Sequence, residues 1–348
     1  MSIKKFKENI TKNQHIVPQR HLKNFIILGG RKLESFNIDE LRIAKSQSPK
    51  SICKGYFHYA MEPGEEDKYS QIVEKAFGNI ETWYGNNIDR IEKLLLLKQK
   101  LKDEDRYGIS WVIANFLFRG CRFRREIKKT LNQFTGELCP TVSEHIHKGC
   151  IKEYSSIFCG SDDEKLLVQK ITKQLLSSEA DNTSHATNSA FDEGHANTLT
   201  HKYWRVLINH SNTHPFITSD EAVIEVHNNN FPKNLFLSES FLLRTQIFHL
   251  SPKIAIIALF PFNEETHGKT EFLDITNREP AIAGNNLQYV NHANKYAYAP
   301  NKIFFEGVID FNKNKAENYS KKEFAANRRF FKLPNCLKNF RPQVILNL

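Results

Sequence analysis

Two neighbouring carboxylates that follow a β-favouring run are the chain's clearest candidates for metal chemistry. Ser219, Asp220 and Glu221 come directly after residues 215–218, and polar side chains at a strand end often carry function. Oxygen ligands such as Asp220 and Glu221 could hold a divalent cation that polarises a phosphate and activates a water. The same residue types are typical of a turn in which Ser219 or Asp220 caps backbone N–H groups. Both interpretations stay open from the sequence.

Two histidines near the start of the chain could take part in proton transfer. His15 lies three residues before Pro18, and His21 lies three residues after it. Proline fixes φ and lacks an N–H, so it favours an extended residue before it and a helix after it. His15 would project from an extended arm and could act as general base or stabilise transition-state charge. The alternative is a docked arm whose histidines make structural hydrogen bonds.

A late amide and two arginines complete the candidate residues. Asn291 lies in a predicted helix over residues 285–297, and its carboxamide could orient a water, a sugar or a phosphate, or satisfy buried backbone groups. Arg119 and Arg122 fall about one turn apart in a predicted helix over residues 103–134, and guanidinium groups bind phosphate. The predicted catalytic residues are His15, Asp220 and Asn291, the predicted substrate contacts are Arg119, Arg122, His21 and Ser219, and the predicted metal ligands are Asp220 and Glu221.

The elements that must position these residues change in character near residue 203. Apolar residues at three-to-four spacing predict a long helix or two over residues 65–98, a second long helix over 103–134 and two more within 136–202. A short hairpin is predicted over residues 32–38 and 41–44. From residue 203 onward, β-favouring runs alternate with turn residues, which predicts strands at 204–208, 215–218, 222–226, 245–250, 254–259 and 303–311.

The resulting expectation is an α+β fold with an α-helical N-terminal half and a β-rich C-terminal half. Residues 1–202 would form the helical region, including the arm around His15 and Pro18 and the short hairpin, and residues 203–348 the β-rich region. No linker rich in glycine, serine or proline divides the two regions. Two domains and one continuous domain are therefore both compatible with the sequence.

Three segments match the pattern of a known family. Residues 14–18, with Leu22 and Phe25, are similar to an opening Gln-His-Tyr-Val-Pro-x-x-x-Leu-x-x-Phe pattern. Trp204 and residues 216–220 resemble a Trp followed by Phe-Ile-Thr-Ser-Asp-Asn-Pro-Val, and residues 291–298 are similar to a closing Asn-x-x-x-x-x-Ala-x-x-Tyr-Val-Tyr region. Together these segments resemble the bacterial family catalogued as domain of unknown function 4238.

This resemblance implies a biological setting but no catalytic reaction. Members of the family are found in bacterial phage-defence loci, and the family supplies no catalytic assignment to carry across. The chain departs from the family pattern at Glu221-Ala222, where Asn-Pro is usual.

Composition bounds the partners and the compartment. The formal net charge of +10 and the pI of about 9.1 favour polyanions such as nucleic acid, although a solvated basic face is the alternative. The six cysteines show no Cys-x-x-Cys spacing and no secretory leader precedes them, which predicts reduced thiols in the cytoplasm. The longest apolar run, residues 254–262, is about half of what a bilayer demands, so no membrane span is expected.

We therefore expect a cytoplasmic bacterial anti-phage defence effector that acts on nucleic acid or nucleotides. Metal-assisted phosphodiester hydrolysis is the expected chemistry, with a divalent metal such as magnesium as the candidate cofactor. The alternative is a non-enzymatic defence protein that recognises a phage component through a binding surface, and glycosidic cleavage of a nucleotide ranks third. A phage-encoded trigger is a further expected partner. The sequence leaves the natural substrate and the oligomeric state open.

Overall fold

Helices and strands are mixed in the parts of the chain that the structure describes. The computed structural model describes residues 13–26, 30–56, 69–125, 193–226, 244–261 and 263–316. The described elements up to residue 119 are β1 (Asn13–His15), α1 (Gln19–Asn24), β2 (Leu33–Asn37), β3 (Arg42–Gln47), β4 (Lys54–Tyr56), α2 (Tyr69–Leu96) and α3 (Asp103–Arg119). Those from residue 193 onward are α4 (Glu193–His201), β5 (Tyr203–Ile208), β6 (Thr218–Ser219), β7 (Val223–Val226), β8 (Thr245–Ser251), β9 (Ile254–Leu259), a 3₁₀ turn (Glu264–Thr266), β10 (Thr270–Asp274), α5 (Glu279–His292), β11 (Tyr296–Ala299) and α6 (Ile303–Ala316).

The predicted division into an α-helical N-terminal half and a β-rich C-terminal half is wrong. Strands β1 to β4 lie among the first helices, and the long helices α5 and α6 lie among the later strands. The division fails because strands that lie far apart in the sequence pair with one another. Strands β2 and β3 form a sheet with β11 and β6, in the order β3-β2-β11-β6. The predicted boundary at residue 202 stays a prediction.

A five-stranded sheet in the order β10-β5-β9-β8-β7 separates two apolar clusters. Its pairs are antiparallel except for β10 with β5, which is parallel. Alternate residues of β9 face opposite sides: Ile254, Ile256 and Ala258 join a cluster with α2 and α3, whereas Ala255, Ile257 and Leu259 join a cluster with α5. Burial on both faces explains why β9 is a continuous apolar run.

Several predicted elements are confirmed. The hairpin consists of β2 and β3 in antiparallel register, with Ser35 opposite Ala44. Helix α2 is one helix that continues past Gly78 and Gly85. Strands β5, β7, β8 and β9 lie within the β-favouring runs that predicted them. Of the run 215–218, only Thr218 belongs to a strand, β6.

Two predicted boundaries and one predicted element type are wrong. The helix expected over 103–134 breaks at Gly120, where ψ of 146° is not helical, and a helical turn resumes at 121–125. The helix expected over 285–297 is α5, which begins earlier because Pro280 favours a first turn and which ends at His292. The strand expected over 303–311 is helix α6. Its first N–H groups include that of Ile303, which donates to Asn301 Oδ1, as in a helix cap.

Other expectations fall on residues that the structure does not describe. These include most of the two helices within 136–202 and four of the six cysteines. In the parts of the chain that are described, each helix is too short or too polar to cross a bilayer.

Candidate functional site

The turn between β6 and β7 carries both predicted metal ligands. Ser219 Oγ donates to the carbonyl of Glu221 at 2.7 Å and accepts from its N–H at 3.1 Å. Both Ser219 and Glu221 are buried. This local hydrogen bonding closes the turn, and the side chains of Asp220 and Glu221 reach two different elements.

The Asp220 carboxylate holds the connection between α5 and β11. Its Oδ1 accepts from the N–H of Asn294 at 2.7 Å, and its Oδ2 accepts from those of Lys295 at 2.7 Å and Tyr296 at 3.0 Å. Burial raises the pKa of Asp220 to about 6, against the opposing effect of these backbone donors. Both carboxylate oxygens are thus used within the protein as acceptors for the backbone N–H groups of this connection.

The Glu221 carboxyl reaches the break between α3 and the next helical turn. Its Oε1 accepts from the N–H of Arg122 at 2.7 Å. A Cβ atom on Gly120 would lie 2.1 Å from Glu221 Oε2, so only glycine at this position lets the carboxyl approach. Burial, and next the charge of Asp220, raise the pKa of Glu221 to about 8. Glu221 is therefore mainly protonated at neutral pH and can donate a proton.

A small cavity opens beside Glu221. Its volume is about 20 Å³, and a site of that size has room for one water molecule. His292 lines the cavity, and its Nδ1 donates to the carbonyl of Gln288 at 2.8 Å. The residues that line the cavity are Leu117, Arg122, Phe123, Glu221, Val223, Ile224, Glu225 and His292.

The predicted catalytic amide lies elsewhere. Asn291 is exposed, whereas its neighbour His292 is partly buried at the cavity. Consecutive residues of a helix point about 100° apart, so only one of the two can face a given site. The structure therefore places the imidazole of His292, not the carboxamide of Asn291, at the cavity, and the catalytic role of Asn291 stays a prediction.

Arg119 is buried and engaged in internal contacts. Its guanidinium pairs with Glu81 at 2.8 Å, donates to the carbonyl of His15 at 2.6 Å and stacks 4.3 Å above the Phe77 ring. The exposed fraction of its side chain is 0%. These contacts anchor the arm that carries His15 to α2 and α3. The role of Arg119 as a phosphate contact stays a prediction.

His15 and His21 are both neutral at pH 7 but lie in different surroundings. Burial, with the charges of Lys54 and Arg119, lowers the pKa of His15 to about 4. His21 is fully buried, within 3.2 Å of both Tyr84 Oη and Thr218 Oγ1, and burial lowers its pKa to about 3. His21 therefore links α1 to β6, the strand that leads into the turn with Asp220 and Glu221.

Two thiols near the turn were not singled out by the sequence. The Cys53 thiol is hydrogen bonded to Tyr298, and the charges of Asp220 and Glu221 act on Cys53 and on Cys121. Burial raises the pKa of both thiols, that of Cys121 to about 11. Thiols held in this protonated state are poor nucleophiles and poor metal ligands.

Metal binding by the predicted ligands receives no direct support from the geometry. Within the described parts of the chain, no three His, Cys, Asp or Glu side chains are arranged to share a metal ion. The assignment of Asp220 and Glu221 as metal ligands stays a prediction. A second group that could imitate a zinc site, although its spacings match no standard one, lies outside the described residues; it consists of Cys139, Cys150, Cys159, His145 and His147.

Comparison with known proteins adds one match. A family model described as protein of unknown function (DUF4238) matches residues 13–302. No curated protein and no solved structure matches the chain.

Proposed function

The chain belongs to the DUF4238 family of proteins of unknown function, and from this premise we propose that it is an anti-phage effector that hydrolyses phosphodiester bonds in nucleic acid or nucleotides. The observation that carries the proposal is the cavity of about 20 Å³ that an arginine, a histidine and a protonated glutamic acid line together. Phosphodiester hydrolysis needs a water, a base, an acid and a cation; the cavity has room for the water, and His292, Glu221 and Arg122 are residue types suited to the other three roles.

Each side chain has a role in the proposed reaction. His292 Nε2 removes a proton from a water held in the cavity, and the resulting hydroxide forms a bond to phosphorus. As the bond from phosphorus to the leaving oxygen breaks, Glu221 donates its proton to that oxygen. The Arg122 guanidinium stabilises the negative charge that develops on the phosphoryl oxygens. A proton transfer from His292 to Glu221 restores the starting state.

The charges around the cavity favour an anionic substrate. Glu225 is paired with Arg244 at 2.5 Å, and Glu221 is mainly protonated at neutral pH. The Arg122 side chain lines the same cavity and carries a positive charge. The formal net charge of +10 for the whole chain acts in the same direction at longer range.

The test is an assay for products with matched variants. Purified protein is incubated with labelled RNA, DNA, NAD and ATP, with and without magnesium, so that the expected metal dependence is measured separately. Glu221→Gln should lower kcat by roughly 100-fold or more because the amide cannot donate the proton. Glu264→Gln changes an exposed carboxylate on the 3₁₀ turn and should leave kcat unchanged. No product in any condition, or full activity of Glu221→Gln, would overturn the proposal.

A second candidate, a non-enzymatic protein that recognises a phage component, is favoured by a different observation. The side chains of Asp220, Arg119 and His21 are engaged in structural hydrogen bonds, as a scaffold requires. Phage plating on cells that produce the wild-type protein or Glu221→Gln separates the two candidates. Equal protection by a stably folded Glu221→Gln variant would support recognition, and lost protection would support hydrolysis.

A further inference from the structure

A polar pocket lies beyond the carboxyl ends of β5 and β10, the parallel pair of the five-stranded sheet. The two strands end side by side, with Ile208 opposite Asp274. Crevices beyond the carboxyl ends of parallel strands are common ligand sites, because the connections diverge there. The volume of the pocket is about 470 Å³, which is within the range of about 300–1,000 Å³ that small-molecule sites occupy. The residues that line it are Ser211, Thr213, Thr276, Asn277, Glu279 and Pro280.

Hydrogen bonds fix the two connections that form the pocket. In the connection after β5, the buried side chain of Asn209 donates to the carbonyl of His214 at 2.8 Å. In the connection after β10, Thr276 Oγ1 donates to Asp274 Oδ1 at 2.7 Å and accepts from the N–H of His210 at 3.0 Å. The second of these bonds ties one connection to the other. The walls of the pocket are therefore formed before a ligand arrives, which lowers the entropic cost of binding.

Asn277 and Glu279 present polar groups that a ligand can reach. Both residues are exposed, and the exposed fraction of the Glu279 side chain is 67%. Glu279 Oε1 lies 3.5 Å from His214 Nδ1, on the opposite connection. A carboxylate accepts hydrogen bonds through two oxygens, and a carboxamide both donates and accepts. Beside them, the ring of Pro280 adds an apolar surface to the lining.

These groups select the chemistry of the ligand. A phosphate would meet the carboxylate of Glu279, and the six lining residues include no lysine or arginine. An ammonium group only donates, so it would leave the N–H groups of Asn277 without an acceptor in the ligand. Two neighbouring hydroxyl groups on a sugar ring fit both side chains, because they donate to the carboxylate and accept from the amide. The carbon atoms of such a ring can pack on Pro280.

We propose that this pocket binds the ribose ring of a ribonucleoside through its 2′- and 3′-hydroxyl groups. Glu279 accepts from both hydroxyls, and Asn277 donates to one of them. The pocket lies at the first residue of α5, whereas His292 is the last residue of this 14-residue helix. At 1.5 Å per residue the two ends are about 20 Å apart, so the pocket is separate from the cavity beside Glu221. The inference goes beyond the proposed hydrolysis, because binding a ribose requires no reaction.

The test measures Kd by ligand-observed NMR for adenosine, 2′-deoxyadenosine and 3′-deoxyadenosine. Removing either hydroxyl should weaken binding at least fivefold, because one hydrogen bond to the carboxylate is lost. Glu279→Gln should weaken adenosine binding about tenfold and bring the three ligands to within about twofold of one another, since a neutral amide is a weaker acceptor. Asn277→Ala should weaken adenosine binding about threefold. Glu264→Gln, which changes an exposed carboxylate on the 3₁₀ turn, is the matched control and should bind as the wild type does.

A short RNA with a free 3′ end carries the same pair of hydroxyls and is added as a competitor. Displacement of adenosine would extend the site to RNA ends, and lack of displacement would restrict it to free nucleosides and nucleotides. Both results support a site for the pair of hydroxyls, provided that Glu279→Gln weakens adenosine binding.

Three outcomes would overturn the inference. They are no binding of adenosine to the wild-type protein, equal affinity for adenosine and its two deoxy analogues, and unchanged adenosine binding by Glu279→Gln. If Glu279→Gln fails to fold, Asn277→Ala carries the same comparison. Adenosine contains no phosphodiester bond, so these measurements stand whether or not the protein hydrolyses nucleic acid. A failure of either proposal therefore leaves the other intact.

Discussion

Replacing Glu221 by glutamine should change how the stability of the protein depends on pH. The substitution keeps the shape of the side chain and keeps an oxygen to accept from the N–H of Arg122, but it removes the ionisable group. Burial, with the charge of Asp220, raises the pKa of Glu221 from 4.5 to about 8 in the folded protein. The unfolded chain has the ordinary value, so the two states bind protons differently between these limits.

The sign and size of the effect follow from this difference. Below about pH 4.5 Glu221 is protonated in both the folded and the unfolded state, so it does not lower the free energy of unfolding. Between about pH 4.5 and 8 the unfolded state ionises while the folded state keeps its proton, so the free energy of unfolding falls as the pH rises. One pKa unit corresponds to about 1.4 kcal/mol, so the full shift sets an upper limit of roughly 5 kcal/mol. Above about pH 8 the loss should level off.

The assay is urea unfolding at a series of pH values from 4.5 to 8.5 for the wild type, Glu221→Gln and Glu264→Gln. The wild type and Glu221→Gln should have similar free energies of unfolding near pH 4.5, and Glu221→Gln should become increasingly more stable up to pH 8. Glu264→Gln should run parallel to the wild type, because that carboxylate is exposed. Parallel curves for the wild type and Glu221→Gln would refute the buried, protonated state that the proposed reaction requires.

Three further substitutions test other parts of the site. Asp220→Ala removes the acceptor for three backbone N–H groups and should lower the free energy of unfolding by about 2–4 kcal/mol in urea titrations. Gly120→Ala should lower the free energy of unfolding by about 1–3 kcal/mol in thermal unfolding, because the added Cβ would collide with Glu221. Gly78→Ala is the control, since its Cβ would meet nothing within 4 Å, and it should be neutral or slightly stabilising. Because burial lowers the pKa of His21 to about 3, the wild type should lose stability as the pH falls below 6.5, and His21→Gln should reduce that slope in unfolding measured between pH 4 and 7.

The parts of the fold that could be predicted are those with a strong local pattern. Residues 254–259 are apolar throughout and form the buried strand β9, and the spacing of apolar residues predicted α2. Strands of three residues, such as β1 and β4, carry too few positions to show alternation. The strand prediction fails at α6 because Ile303, Phe304 and Phe305 are β-favouring residue types, whereas the cap at Asn301 favours a helix.

The candidate site was predictable only where its residues share one turn. Ser219, Asp220 and Glu221 form the turn that their types predicted, including the backbone capping by Asp220. The presence of His292 rather than Asn291 at the cavity depends on how α5 packs in three dimensions, which no local pattern specifies.

The turn between β6 and β7 also fixes how many residues can join these two strands. Adjacent residues of this turn accept hydrogen bonds from two distant segments. Asp220 accepts from the backbone just before β11, and Glu221 accepts from the backbone at the start of the helical turn at 121–125. Inserting or deleting a single amino acid would rotate both carboxyl groups away from their partners at once. Length variation tolerated elsewhere in surface connections should therefore be rejected at this point, even where the inserted residue is small and polar.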